Sequence, residues 1–211
     1  MTNNIFFTFL TLLLLSNNAL AQNIFPYKKN NIKLTLASLT AINLQSLKLG
    51  YERHFLEKEK AIETEFGYTY YSREEEASCR GLYSAISYNS YITNNPRHRT
   101  FVKYVPFYHF MDMNDYLRYN HYYPGTKSII YTEYKRTRYK KERYGFTVYT
   151  GLVYYLSRKL LFEINIGGGI ITYKTTVPDD VDQEYFRNGI FYGKSYTAPN
   201  IAMSLKMGYS F

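Results

Sequence analysis

Four histidines, one cysteine and a run of acidic residues are the side chains whose chemistry is tested first. His54, His98, His109 and His121 share no metal-ligand spacing such as H-E-x-x-H. Asp179, Asp180, Asp182 and Glu184 gather oxygen ligands of the kind calcium takes, without the glycine and spacing of an EF-hand. Cys79 follows Glu74-Glu75-Glu76, an acidic setting that raises a thiol pKa and so disfavours a nucleophile. A single cysteine forms neither an intramolecular disulfide nor a Cys-based zinc cluster. His109, His121 and Ser128 come nearest to a nucleophile and its base, but no signature frames them. Gly167-Gly168-Gly169 lies inside a strand pattern, where glycine favours close backbone approach rather than phosphate binding. The expectation is therefore no catalytic residue, no cofactor and no metal ligand.

The elements that carry these residues explain more than the residues do. The chain has 211 residues, with 26 Lys and Arg against 17 Asp and Glu, a net charge of +9. A hydrophobic share of 45% excludes wholesale disorder. The mean hydropathy of −0.39 argues against a bundle of membrane helices. Aromatics are unusual: 26 Tyr and 14 Phe, with no Trp. A tyrosine has an apolar ring and a wet hydroxyl, so this enrichment suits surfaces that are half apolar and half hydrated.

Ile5 to Leu15 form an apolar run of 11 residues, too short for a membrane-spanning helix of about 20. Ala19-Leu20-Ala21 then offers an A-x-A cleavage site before Gln22. Residues 1–21 read as a secretory signal peptide cleaved after Ala21, and 22–30 as an N-terminal lead-in.

From residue 31 onward the chain alternates with period two, the mark of strands with two different faces. Tyr144, Phe146, Val148, Thr150, Leu152, Tyr154 and Leu156 share one register. Gly145, Thr147, Tyr149, Gly151, Val153 and Tyr155 share the other. Eight such segments are placed at 31–39, 43–55, 61–72, 81–92, 100–111, 142–156, 160–174 and 199–211. Pro106 interrupts the fifth, and the faces of the fourth are poorly separated. The segments exceed the usual five or six residues of soluble strands and suit tilted membrane-spanning strands of about 9–11. Short polar turns join segments 2–3, 4–5 and 6–7, while long connections are expected near 112–141 and 175–198. Short turns at one end and long loops at the other are the habit of transmembrane barrels. The fold expected for residues 31–211 is thus all-β, an eight-stranded antiparallel up-and-down transmembrane β-barrel.

If the apolar face meets lipid, the other face fills the lumen. Lys33, Lys48, Glu52, Glu63, Glu65, Lys103, Glu163 and Lys206 then point inward, four cations and four anions. Eight strands leave an interior that side chains fill, and buried charges must be paired there. Leu152 is expected to face lipid and Glu163 the lumen.

Met203-Ser-Leu-Lys-Met-Gly-Tyr-Ser-Phe211 resembles the C-terminal signal of bacterial outer-membrane proteins, with Leu205, Met207, Tyr209 and Phe211 at its apolar positions. With Leu47-Lys-Leu-Gly-Tyr-Glu52 and Ile164-Asn-Ile-Gly-Gly-Gly-Ile170, the chain is similar to small outer-membrane β-barrel proteins of Bacteroidota type, with an architecture like OmpA and OmpX. That resemblance implies an outer-membrane location and recognition by the barrel-assembly machinery.

The segment 112–141 is the most informative surface. It holds seven basic residues against three acidic ones, interleaved with seven tyrosines. Nucleic acid does not suit an exported barrel as a partner. Anionic lipopolysaccharide headgroups fit the charge better, and loop tyrosines suit protein contacts. The plain alternative is a solvated extension of two strands above the membrane. The function expected is a structural or surface-interaction barrel, a monomer in outer-membrane lipid, with its lumen filled by paired charges. A narrow channel and a lipid-modifying outer-membrane enzyme are the alternatives.

Overall fold

The computed structural model describes residues 29–40, 46–55, 59–73, 77–93, 95, 97–122, 129–176 and 195–211. The expected signal segment at 1–21, Glu74–Glu76, Ser128 and the acidic cluster at 179–184 lie outside them, as does the side chain of His121. Eight strands run in chain order: β1 (Asn30–Thr40), β2 (Ser46–Phe55), β3 (Lys60–Arg73), β4 (Ala77–Tyr91), β5 (His98–Tyr122), β6 (Ile129–Tyr155), β7 (Leu160–Thr176) and β8 (Ser195–Ser210). Each pairs antiparallel with its neighbours in sequence, and β1 pairs with β8 to close the barrel. Closure removes the edge strands that would otherwise template aggregation.

The closing seam is pinned at its short-turn end. Asn30 and Phe211 exchange backbone hydrogen bonds of 3.2 and 2.9 Å. Further along, Thr35 pairs with Lys206 and Ala37 with Leu205, so Leu36 is an extra residue on β1. Such a bulge bends the strand and increases its twist.

The short turns and both ends of the barrel wall lie together at one end. At the β6–β7 turn, Ser157 Oγ accepts from the amides of Lys159 and Leu160, at 3.2 and 3.1 Å. At the β4–β5 turn, Thr93 Oγ1 accepts from the Thr100 amide at 2.9 Å.

Two expectations need correction. Residues 112–141 are not a long loop: β5 continues to Tyr122 and β6 begins at Ile129, paired in one ladder above the barrel. The hairpin continues for about 12 residues beyond Phe110↔Glu142, roughly 40 Å along the strand. The 175–198 connection is likewise shorter, because β7 runs to Thr176 and β8 starts at Ser195.

Pro106 does not end β5. The β4–β5 ladder is interrupted between Ala85↔Phe107 and Tyr88↔Tyr104, yet it resumes in the same register. A missing N–H accounts for the gap. The faces of β4, blurred in the sequence, are separate here: Leu82, Ile86 and Ile92 point out, and Asn89 and Tyr91 point in.

Candidate functional site

The barrel wears its apolar side chains outside. Leu47, Phe66, Leu82, Ile86, Ile92, Ile170 and Ile201 each keep 60% or more of their surface exposed. Along β6 the outward band runs from Tyr154 to Tyr144, and beyond it stand Glu142, Lys140 and Arg138. An 11-residue band is the length a tilted strand needs to cross a bilayer. Tyr108 and Tyr144 pair at its outer border, where amphipathic rings are favoured.

Inside, the polarity inverts. Lys33, Lys48, Glu52, Glu63, Glu65, Lys103, Glu163 and Lys206 are all buried in the lumen. Seven of the eight form one ion-pair network. Lys33 Nζ contacts Glu163 at 2.6 Å, Glu52 at 2.9 Å and Glu63 at 3.4 Å. Lys103 Nζ bridges Glu63 and Glu163, both at 2.8 Å. Lys206 Nζ lies 2.7 Å from Glu63 and also pairs with Glu65. These contacts link β1, β2, β3, β5, β7 and β8, so the network spans the lumen rather than lining one wall.

Neutral side chains complete it. Glu52 accepts from Asn31 Nδ2 at 2.6 Å, Tyr91 Oη at 2.6 Å and Asn89 Nδ2 at 2.7 Å. Asn165 Nδ2 donates to Glu163 at 2.9 Å, and Ser204 Oγ donates to Asn165 Oδ1 at 2.8 Å. Satisfying the remaining lone pairs is what makes a buried ion network tolerable. Two glycines give the lumen side chains room. A Cβ on Gly50 would meet Glu63 Oε1 at 3.0 Å, and one on Gly67 would meet the Lys48 stem at 2.7 Å.

Lys48 stands apart from the network. Its Nζ lies over the Tyr83 ring, 4.1 Å from the centroid. Below the network an apolar plug of Ala61, Tyr91, Phe101, Val153, Tyr155 and Leu161 closes the short-turn end. Arg99 stacks on Tyr91 there, 3.9 Å from the centroid.

The expected balance of four cations and four anions is therefore incomplete. Arg99 and Arg143 are also buried, so the described buried residues hold six Lys and Arg against four Glu. Both arginines have the inward parity of their strands, but they sit at or just beyond the ends of the alternating segments. Asn31, Asn89 and Tyr91 escape the sequence reading for another reason: a neutral polar residue at an inward position carries no charge signal.

The candidate catalytic residues do not converge. His109 is buried in the lumen, its Nε2 2.9 Å from Thr69 Oγ1. His121 lies 12 residues further along the same strand, roughly 40 Å away. His54 is a lumen residue beside Glu52, at 3.3 Å. Among the described residues no cluster of His, Cys, Asp and Glu could hold a metal ion. Cys79 is buried past the outer border, and that burial pushes its thiol up. A Cβ on Gly168 would make an ordinary contact with the Asn200 carbonyl oxygen at 3.8 Å, whereas one on Gly167 or Gly169 would strike a β6 carbonyl at 2.3 or 2.0 Å. The triple glycine is thus a place of close strand approach, as strand glycines often are.

Outside the barrel, the β5–β6 hairpin exposes Lys135, Arg136, Arg138 and Lys140. Arg138 Nε donates to both oxygens of Asp112, at 2.8 and 3.0 Å, bridging the two strands. That hydrogen bond, with the guanidinium charge, holds the Asp112 carboxyl below its usual range.

No family model and no curated protein matches the sequence. Solved structures of similar shape include three bacterial proteins. One is the N-terminal β-barrel domain of Pseudomonas aeruginosa OprF, 8% identical, covering 88% of this chain and 100% of that one, with a TM-score of 0.43. Ail, the attachment invasion locus protein of Yersinia pestis, is 11% identical over 88% of this chain and 100% of its own, with a TM-score of 0.45. A major outer membrane protein from Thermus thermophilus is 8% identical over 86% of this chain and 99% of its own, with a TM-score of 0.48. At these identities the likeness is one of shape. The closed barrel itself is established by its own strand pairing.

Proposed function

We propose that this chain is a bacterial outer-membrane β-barrel with a sealed lumen, whose role is to anchor and display its external β5–β6 hairpin. One observation carries the reading: the apolar band faces out while seven charged residues pair across the interior. In water that arrangement exposes a large apolar surface and gains nothing from it. In a bilayer it satisfies both faces, since a closed barrel leaves no backbone edge in lipid.

The lumen supports a plug rather than a pore. Ion pairs from six strands cross its middle, and an apolar cluster closes its short-turn end. Cavities of about 30 and 40 Å³ on the outer side have room for only a few waters each.

The hairpin supports a surface role. Its exposed cations extend past the outer border, where anionic lipopolysaccharide headgroups would meet them. Attraction at such a surface is worth about 1 kcal/mol per basic residue and fades with salt.

Membrane fractionation with heat-modifiable electrophoresis tests the reading. The protein should sediment with the outer membrane, migrate faster unheated than boiled, and begin at Gln22 by N-terminal sequencing. A soluble protein with unshifted mobility would overturn it. In planar bilayers, ion conductance should stay at background.

A further inference from the structure

We propose that the outer half of the lumen is a binding site for a small inorganic anion of chloride size, held between Lys48 and Arg143. The two side chains are buried, 8% and 4% exposed, and line one cavity of about 40 Å³. His109, Asn200, Tyr83 and Tyr149 also line it, and no carboxylate does.

The nearest buried acid is already committed. Glu65 lines the adjoining cavity, which Lys48 also borders, and pairs there with Lys206, inside the network below. Among the described residues neither Lys48 nor Arg143 makes an ion pair within 4 Å; each lies over a ring, Tyr83 and Tyr173. Stacking on an aromatic face offsets only part of the cost of desolvating a cation, which runs to several kcal/mol. Of the three buried cations outside the network, Arg99 lies at the short-turn end, and the other two, Lys48 and Arg143, share this one cavity.

Two unmet hydrogen-bonding atoms belong to this cavity's lining. Arg143 Nε has no partner, and neither does Asn200 Oδ1. Asn200 Nδ2 is set 3.2 Å from Thr147 Oγ1. Oxygen and nitrogen of an amide are interchangeable in placement. With the amide turned over, Oδ1 accepts from the Thr147 hydroxyl and Nδ2 becomes a second free donor. An anion satisfies Arg143 Nε, this Nδ2 and the Lys48 ammonium together, whereas water brings no charge. The volume has room for roughly three water-sized particles, which suits a halide and is too small for phosphate with its four oxygens.

The test uses the exported protein purified in detergent. Its unfolding midpoint is followed while chloride replaces gluconate at constant ionic strength; gluconate is too large for the cavity. A ligand that binds only the folded state stabilises it by mass action. The midpoint should rise and then saturate as chloride increases. Asn200→Asp places a fixed anion in the cavity, so its midpoint in gluconate should be higher than the wild-type value and should not respond to chloride. Lys48→Met should lose most of the response. Crystals grown in bromide should show an anomalous peak beside Arg143. An unchanged wild-type midpoint, an equal chloride response in Asn200→Asp, or the absence of a bromide peak at Arg143 would each overturn the proposal.

Discussion

Lys33 Nζ lies 2.6 Å from Glu163 Oε2, joining β1 to β7 through residues 130 apart in sequence. The contact passes across the lumen, because β8 stands between those strands in the wall. It makes barrel closure and lumen charge one event: neither ion finds this partner until the last strand has paired.

Lys33→Met should therefore destabilise the barrel by about 3–5 kcal/mol, the usual cost of leaving a buried ion unpaired. Glu52 would lose its 2.9 Å contact with Lys33, the one lysine it pairs with among the described residues, while Glu163 keeps Lys103 at 2.8 Å. Adding Glu52→Gln should recover part of the loss, because the stranded anion disappears with its partner. Urea unfolding in lipid vesicles measures this. Additive costs in the double variant would show that the two ions do not depend on each other.

Phe211 closes the seam as well as ending the chain. Its amide donates to Asn30 O at 2.9 Å, and its ring lies 6.5 Å from that of Tyr209 on the outer surface. Leu205, Met207, Tyr209 and Phe211 carry the proposed assembly signal. Deleting Phe211 should cut the amount of heat-modifiable protein in the outer membrane several-fold. Normal levels after deletion would remove this residue from the assembly step.

The hairpin's charge should matter only at the surface. Lys135→Gln, Arg136→Gln and Lys140→Gln together should weaken binding to lipopolysaccharide by about 1 kcal/mol per residue at low salt, and little at high salt. Because the hairpin belongs to the barrel, whole barrels in nanodiscs are compared against added lipopolysaccharide. Equal binding by variant and wild type would leave the hairpin without this role.

Asp112 provides a pH prediction. Arg138 holds its folded carboxyl value below the ordinary one, so the pair's contribution is present above the unfolded value and lost as pH falls through the folded value. Carboxyl NMR should show Asp112 titrating below the ordinary Asp midpoint of about 3.9. Arg138→Gln should return the midpoint toward it. An ordinary midpoint in the wild type would mean the pair does not form in solution.

The sequence revealed what two different environments had written into it. Between Tyr144 and Tyr154, lipid and lumen impose opposite demands on alternate residues, and the period-two pattern followed. Beyond Glu142 that contrast disappears. Thr132, Glu133, Tyr134, Lys135 and Arg136 are all exposed on both faces of a two-stranded ribbon. No alternation could mark them as strand, so 112–141 read as a loop. The ionic residues of the lumen were visible because a charge at an inward position is anomalous. Asn31, Asn89 and Tyr91 carry as much of the Glu52 site, yet nothing in their type distinguishes them from ordinary strand residues. Arg143 was hidden at a segment boundary, and with it the cation excess of the outer lumen.

The most direct measurement is thiol accessibility along one strand. Single cysteines at positions 147 to 152, in a Cys79→Ser background, are labelled in native membranes with water-soluble and lipid-soluble reagents. Val148, Thr150 and Leu152 lie on the outward register, and Thr147, Tyr149 and Gly151 on the inward one. Cysteines at 148, 150 and 152 should react with the lipid-soluble reagent and poorly with the water-soluble one. Cysteines at 147, 149 and 151 should favour the water-soluble reagent, slowly, because the lumen is packed. Rapid water-soluble labelling at 148, 150 and 152 would mean that the apolar band meets water, and would contradict the membrane barrel.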